Sequence, residues 1–137
     1  MHLAKLDRVA SFFPSLSDYL LDMFENCPDE HFSSGPRGSG LQLPVDLDLT
    51  HIPGHAVCSA ARFGLENGRF KTAHSNVQVT MLENDKKTFA VEVPLFLTAE
   101  ETDWHQSLLE TDEPLTGHID LVTFEEETVW VWDYKPN

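Results

Sequence analysis

Only two of the 137 residues are cysteine, Cys27 and Cys58. At most one disulfide can form, and a four-cysteine zinc or iron–sulfur site is excluded. Cations are scarce too: nine Lys and Arg stand against 23 Asp and Glu, leaving a formal charge of −14. That balance excludes a generally basic surface of the kind that coats DNA non-specifically, though not a small, metal-neutralised nucleic-acid site. No apolar run approaches the length of a membrane span. The opening Met1-His2-Leu3-Ala4-Lys5-Leu6-Asp7 lacks the continuous apolar core of a secretion signal. These absences predict a cytoplasmic protein with reduced thiols and no membrane contact.

What the chain does have is material for a core. Hydrophobic residues make up 41 % and aromatics 10 %, over a length that suits one domain, residues 1–137. There is no internal repeat. Residues 1–32 read as N-terminal helices. One covers residues 2–13 and ends at Pro14. A second runs from Ser15 to Cys27, with Ser17 as its N-cap and Tyr19, Leu20, Met23 and Phe24 at helical spacing; Pro28 stops it. Residues 33–40, Ser-Ser-Gly-Pro-Arg-Gly-Ser-Gly, read as a flexible linker. Residues 41–49 read as extended. Gly54 to Gly68 reads as an Ala-rich helix with Val57, Ala60, Ala61 and Leu65 near one face and Asn67-Gly68 as its stop. Cys58 on that helix reads as a buried small residue and Glu66 as a solvated one.

The second half turns to strands. Asn76 to Met81 alternates apolar and polar, Glu83 to Lys86 reads as a turn, and Thr88 to Leu97 is a strong strand pattern, which together predict a hairpin. Residues 98–114 read as a long acidic loop with a helical turn around Trp104 to Leu109. His118 to Phe124 and Thr128 to Tyr134 form a second hairpin around the solvated turn Glu125-Glu126-Glu127. The fold class is therefore α+β, with helices packed on a sheet built from residues 76–97 and 118–135. The strand over residues 129–134 is apolar on both faces, which predicts a central, doubly covered position. Trp130, Trp132 and Tyr134 share one face and read as core rather than as a base-stacking platform.

The chemistry lies in Gly117-His118-Ile119-Asp120 and Asp133-Tyr134-Lys135. Alternation along a strand puts Asp133 and Lys135 on one face. Any even-membered loop centred on Glu126-Glu127 sets Asp120 directly opposite Asp133, with Cβ atoms ~4.5–5.5 Å apart. Two carboxylates that close repel, so one takes a proton or a cation sits between them. Paired oxygen ligands suit Mg²⁺ or Mn²⁺. A divalent ion lowers the pKa of a bound water, and Lys135 adds a fixed positive charge that positions the water or stabilises developing negative charge. Those are the parts that phosphodiester hydrolysis needs. Alone, Asp133-x-Lys135 reads as a surface ion pair; with Gly117-His118-Ile119-Asp120 upstream in hairpin register it reads as a site. His55 reads as a helix-start residue satisfying backbone groups or as a ligand. Glu92 reads as a solvent-facing strand position or a further ligand, and His118 as the polar flank of a strand end.

The same stretches resemble the PD-(D/E)XK nuclease superfamily, in particular its RecB-like exonuclease branch. That branch carries a Gly-x-Ile-Asp strand followed by a strand ending in Asp-Tyr-Lys, here Gly117 to Asp120 and Asp133 to Lys135. Gly54-His55-Ala56-Val57 is similar to the branch's helix-start histidine. Val91-Glu92-Val93-Pro94-Leu95 is similar to its first core strand, and Ser15-Leu16-Ser17 with Cys27-Pro28 is similar, at a longer spacing, to its Ser-x-Ser and Cys-Pro opening. The resemblance covers residues 54–137 and implies a restriction-endonuclease-like core, a mixed β-sheet flanked by helices. It implies a Mg²⁺- or Mn²⁺-dependent deoxyribonuclease acting in DNA repair, recombination or defence. Asp120, Asp133, the Tyr134 carbonyl and His55 would be metal ligands, with Glu92 an additional one and Lys135 assisting the water. The branch's four-cysteine iron–sulfur cluster is excluded here. The helix and strand that follow Asp-x-Lys in the family are missing after Asn137. The expectation is then that a homodimer partner, another protein or the N-terminal helices cover the last strand. The alternative function is a truncated nuclease-like core that no longer cuts and serves as a protein-interaction module.

Overall fold

The computed structural model describes residues 1–41 and 46–135. The stretch read as extended includes residues 42–45, which lie outside the described residues, as do residues 136–137 of the last segment. In chain order the elements are α1 (Leu3–Ala10), α2 (Pro14–Asn26), α3 (Ala56–Asn67), α4 (Ala73–Asn84), β1 (Thr88–Leu97), α5 (His105–Leu109), β2 (Leu115–Glu125) and β3 (Thr128–Trp132). The class is α+β. The sheet is a three-stranded β1-β2-β3 meander, antiparallel at both ladders, rather than the mixed sheet expected.

Both N-terminal helices form, with local differences. Pro14 does not end α1 but opens α2, where its fixed φ suits the first helical position and its missing N–H costs nothing. Ser17 therefore falls inside α2 and is buried, and Phe13 is the N-cap. Gly68 ends α3 in the left-handed conformation at φ 60°, as the Asn67-Gly68 stop predicts. Cys58 is exposed on α3, not buried, because the packed face of that helix runs through Val57, Ala60 and Ala61.

The largest departure is α4. Residues 76–81 form a helix, not a strand. Thr72 caps it by accepting from the Ser75 N–H. The alternation misled because the polar positions are buried as well: Asn76, Gln78 and Thr80 lie inside along with Val77 and Met81. Each polar side chain has a dedicated partner, Asn76 at the Phe70 backbone, Gln78 at the sheet and Thr80 at Asn67. A helix wedged on several sides hides its 3.6-residue period.

The sheet is covered on both faces at one end. Leu6, Val9 and Leu20 of α1 and α2 pack against Phe89, Ala90, Val122 and Phe124. Val77 and Met81 of α4 pack against Leu121, with Val57, Val91, Trp132 and Tyr134 around them. Four successive residues of β2, Leu121 to Phe124, are buried for that reason. So β2 is the central strand. β3 lies at the sheet edge, contrary to the central position its composition predicts. Its two apolar faces have different uses: Val129 packs toward α1 and α2, Trp132 toward α3 and α4, while Trp130 and Val131 stay 50 % and 62 % exposed. The acidic stretch contains the short α5 where a helical turn was expected. Residues 33–40 lie against β2, with the Thr116 N–H bonded to the Pro36 carbonyl at 3.1 Å.

Two contacts hold the helices in place. Gly64 of α3 meets α4 so closely that a Cβ there would stand 2.9 Å from Val77 Cα and 3.1 Å from the Asn76 carbonyl oxygen. On the other face, Lys5 of α1 reaches the junction of α4 and β1. Its ammonium donates to the carbonyls of Leu82, Asp85 (2.6 Å) and Thr88 (2.9 Å). Burial pulls that ammonium below its usual pKa, and Asp85 works against the pull.

Gly64→Ala gains helix propensity of up to about 1 kcal/mol, but the clash is with backbone that cannot swing aside. Urea unfolding is expected to show a net loss of about 1–2 kcal/mol. Lys5→Met removes charge-assisted bonds to three carbonyls and is expected to cost about 2 kcal/mol in the same measurement. An unchanged midpoint in either variant contradicts the role assigned to that contact.

Candidate active site

The hairpin β2–β3 closes through the two-residue loop Glu126-Glu127, between the paired residues Glu125 and Thr128. Both loop residues have positive φ, 50° and 60°, the sense of turn that matches strand twist. The loop is even-membered. The ladder runs to the pair Leu121–Trp132, so Asp120 and Asp133 stand at the next step beyond it.

Asp120 is the most enclosed acid of the set, its side chain 15 % exposed. Its Oδ2 accepts the Tyr134 backbone N–H at 2.8 Å, which ties the segment after β3 to β2. His74 Nε2 lies 3.6 Å from the same oxygen. The Tyr134 ring packs edge-on against the His74 ring at 5.2 Å. Asp133 and Lys135 form an ion pair at 2.9 Å, with side chains 65 % and 75 % exposed. The hydrogen bond to Asp133, then the charge of Asp133 and more weakly that of Asp120, raise the Lys135 pKa against a small desolvation effect, so its ammonium is fully charged at neutral pH.

Glu92 enters through a bend in β1. The register pairs Val91 with Leu121 and Val93 with Ile119, which sets Glu92 across from Asp120. Glu92 has φ 50°. Val91 packs with the α4 cluster and Val93, two residues on, with the α1–α2 cluster. Gln78 of α4 fills the bend: its amide nitrogen donates to Glu92 Oε1 and, at 3.2 Å, to the Asp120 carbonyl.

Not every residue singled out in the sequence joins this group. His55 is the N-cap of α3, its Nδ1 accepting the Val57 N–H at 3.1 Å. Its ring lies 5.4 Å from Trp132, beside a hollow shared with Asp85, Lys87, Thr123 and Glu125. That is the helix-start role. His118 lies within β2, paired with Pro94, rather than at the flank of a strand end, and its ring meets Arg37 and the Phe32 ring. Two residues that sequence reasoning missed, His74 and Gln78, take the place beside Asp120. Their i, i+4 spacing puts them on one face of a helix, a signal that vanishes when residues 76–81 are read as a strand.

Carboxylates, a backbone carbonyl and an imidazole are donors that suit Mg²⁺ or Mn²⁺. In kind the set fits such an ion. In position it offers pairs rather than a cage: among the described residues, no group of three or more His, Cys, Asp or Glu converges to hold a metal. Gln78 engages Glu92, the Tyr134 N–H engages Asp120, and Lys135 engages Asp133. The Asp133–Lys135 pair is exposed and screened by solvent, so it opens easily. Comparison with family models, curated proteins and solved structures found no match.

The Asp120 carboxylate is expected to be the anchor of the segment after β3. Asp120→Ala should raise the hydrogen-exchange rate of the Tyr134 amide about ten-fold or more, while amides of β1 keep their protection. Equal exchange in the two proteins would show that Tyr134 is held by something else.

Proposed function

We propose that this chain is a metal-dependent DNA nuclease core of the PD-(D/E)XK type, hydrolysing phosphodiester bonds. The observation that supports it best is the hairpin: a two-residue loop carries Asp120 and Asp133 to one end of the sheet, with Lys135 bonded to Asp133. In this reading Asp120, Asp133 and the Tyr134 carbonyl would hold Mg²⁺ or Mn²⁺. His74 stands 3.6 Å from Asp120 while His55 caps α3, and Glu92 is the additional acid. Such an ion, when bound, supplies Lewis-acid activation of water and of a phosphate oxygen.

The chain's own residues do the rest. The Tyr134 N–H fixes the orientation of the Asp120 carboxylate. Gln78 holds Glu92 and the β2 backbone at the bend. Once Asp133 turns from Lys135, that ammonium is free to steady an attacking water or the charge that grows on phosphate oxygen. An acidic chain attracts DNA weakly, so cutting would depend on charge neutralised at this one place.

A second reading is favoured by one specific observation. Because no three acid or imidazole groups converge among the described residues, the chain fits a nuclease-like core that does not cut and that binds another protein instead. Digestion of labelled single- and double-stranded DNA separates the two. Cutting is expected with Mn²⁺ and not with EDTA. Asp133→Ala is expected to abolish it, and His74→Ala to reduce it about 10²-fold. Well-folded protein that leaves DNA intact at high concentration with Mn²⁺ overturns the catalytic reading in favour of the second.

A further inference from the structure

The two edges of the sheet differ. The outer edge of β1 is guarded. Pro94 brings no N–H to it, and Glu92 bends it at φ 50°. Two of its carbonyls are already taken, Phe89 by the His2 N–H at 2.8 Å and Pro94 by the Tyr19 hydroxyl at 2.6 Å. The outer edge of β3 carries none of these devices. Thr128-Val129-Trp130-Val131-Trp132 holds no proline, no charge and no positive-φ residue. The turn fixes which of its groups point out. A two-residue loop is closed by a hydrogen-bonded pair, here Glu125–Thr128, and bonded and non-bonded pairs alternate from there. Thr128, Trp130 and Trp132 therefore bond to β2, and the main-chain N–H and carbonyl of Val129 and Val131 turn outward. Among the described residues no backbone hydrogen bond reaches them. Trp130 and Val131 stand exposed beside them, one on each face of the strand.

We infer that β3 pairs antiparallel with β3 of a second copy of this chain, joining two three-stranded sheets into one of six strands around a two-fold axis at Val131. The inference rests on neither reading of the function, cutting or not.

Charge complementarity is what selects a second copy as the occupant. Outward groups must meet outward groups, so an odd-numbered residue of one β3 faces an odd-numbered residue of the other. With Val131 across from itself, Trp130 of each copy faces Trp132 of the other. The two indoles of one chain already stack at 6.1 Å, so the seam gathers four on one face. Carried on past Trp132, the same register sets Lys135 across from the second copy's Glu127. The two-fold axis repeats that opposite-charge pair at the other end. Neighbouring registers lose it. Centring on Trp130 sets Glu127 against Asp133, and centring on Val129 sets Glu125 against Asp133, like charges in both cases. Centring on Trp132 leaves Lys135 across from Val129. Each copy has one β3, so the pairing closes at two. Chains of net charge −14 repel at a distance. Salt at about 0.15 M screens that repulsion beyond about 8 Å, and the contacts of the seam lie inside that range.

Sedimentation velocity on the full chain tests this, in EDTA at about 0.15 M salt and from about 1 μM to about 500 μM protein. Twice the chain's mass is expected at the top of that range, and no more. Val131→Lys changes an exposed residue and sets two ammonium groups face to face on the axis, so this variant is expected to stay monomeric throughout. Glu127→Lys and Lys135→Glu should each weaken the dimer about ten-fold, and the double variant should restore it. Hydrogen exchange gives an independent reading. The amides of Val129 and Val131 should slow about ten-fold or more as concentration rises, while those of Thr128, Trp130 and Trp132 stay protected at every concentration. A chain that is monomeric across the range overturns the proposal. So does a dimer indifferent to Val131→Lys, a mass that climbs past two copies, or a double variant no better than the single ones. If Val131→Lys fails to fold, the charge swap and the exchange rates still decide. None of these readouts uses DNA or a metal ion, so failure of the nuclease reading leaves the dimer standing, and failure of the dimer leaves the nuclease reading untouched.

Discussion

The bend at Glu92 is the constraint on which most of this architecture depends. A non-glycine residue at φ 50° costs on the order of 1–3 kcal/mol unless its surroundings hold it. Here Gln78 does so, by bonding the Glu92 carboxylate and the Asp120 carbonyl from above. The bend lets a single short sheet serve two cores. Val91 packs with α4, while Val93, two residues on, packs with α1 and α2 as Phe89 and Ala90 do. It also opens the sheet at the one place where Asp120 and His74 meet. The candidate site is thus a by-product of how the helices are shared between two faces.

The parts of this arrangement that could be read from the amino acids are those set by short-range rules. The β2–β3 hairpin and its register follow from alternation plus an even loop, and they put Asp120 and Asp133 at one end. The stop of α3 at Gly68 follows from the left-handed conformation that glycine takes readily. What could not be read depends on partners far along the chain. Asn76, Gln78 and Thr80 look like the wet face of a strand until Phe70, Glu92 and Asn67 bury and satisfy them. With α4 misread, His74 and Gln78 had no face to share. The edge position of β3 was hidden for a related reason, since Trp132 is covered by helices rather than by another strand.

Cations are few, and most are already committed to the fold. Lys5 caps the α4–β1 junction, Arg69 pairs with Glu83, and Lys87 pairs with Glu125. Arg8 donates to the Lys86 carbonyl and Arg37 meets His118. In so acidic a molecule, the few positive groups outside such bonds decide where an anion can settle. That scarcity gives Arg62, which enters no ion pair among the described residues, more weight than a basic residue would have on an ordinary surface.

The Lys5 contact has a consequence for the order of folding during synthesis. Lys5 joins carbonyls 77, 80 and 83 residues further along the chain, and the His2 N–H bonds the Phe89 carbonyl. During synthesis α1 therefore has no dock on the sheet until β1 has emerged. β1 in turn is unpaired until β2 follows. Leu6 and Val9 must wait for their places on the sheet until β1 and β2 have followed. A segment built this way folds late and nearly all at once, and the apolar stripe of α1 at Leu6 and Val9 is where a chaperone would find it first.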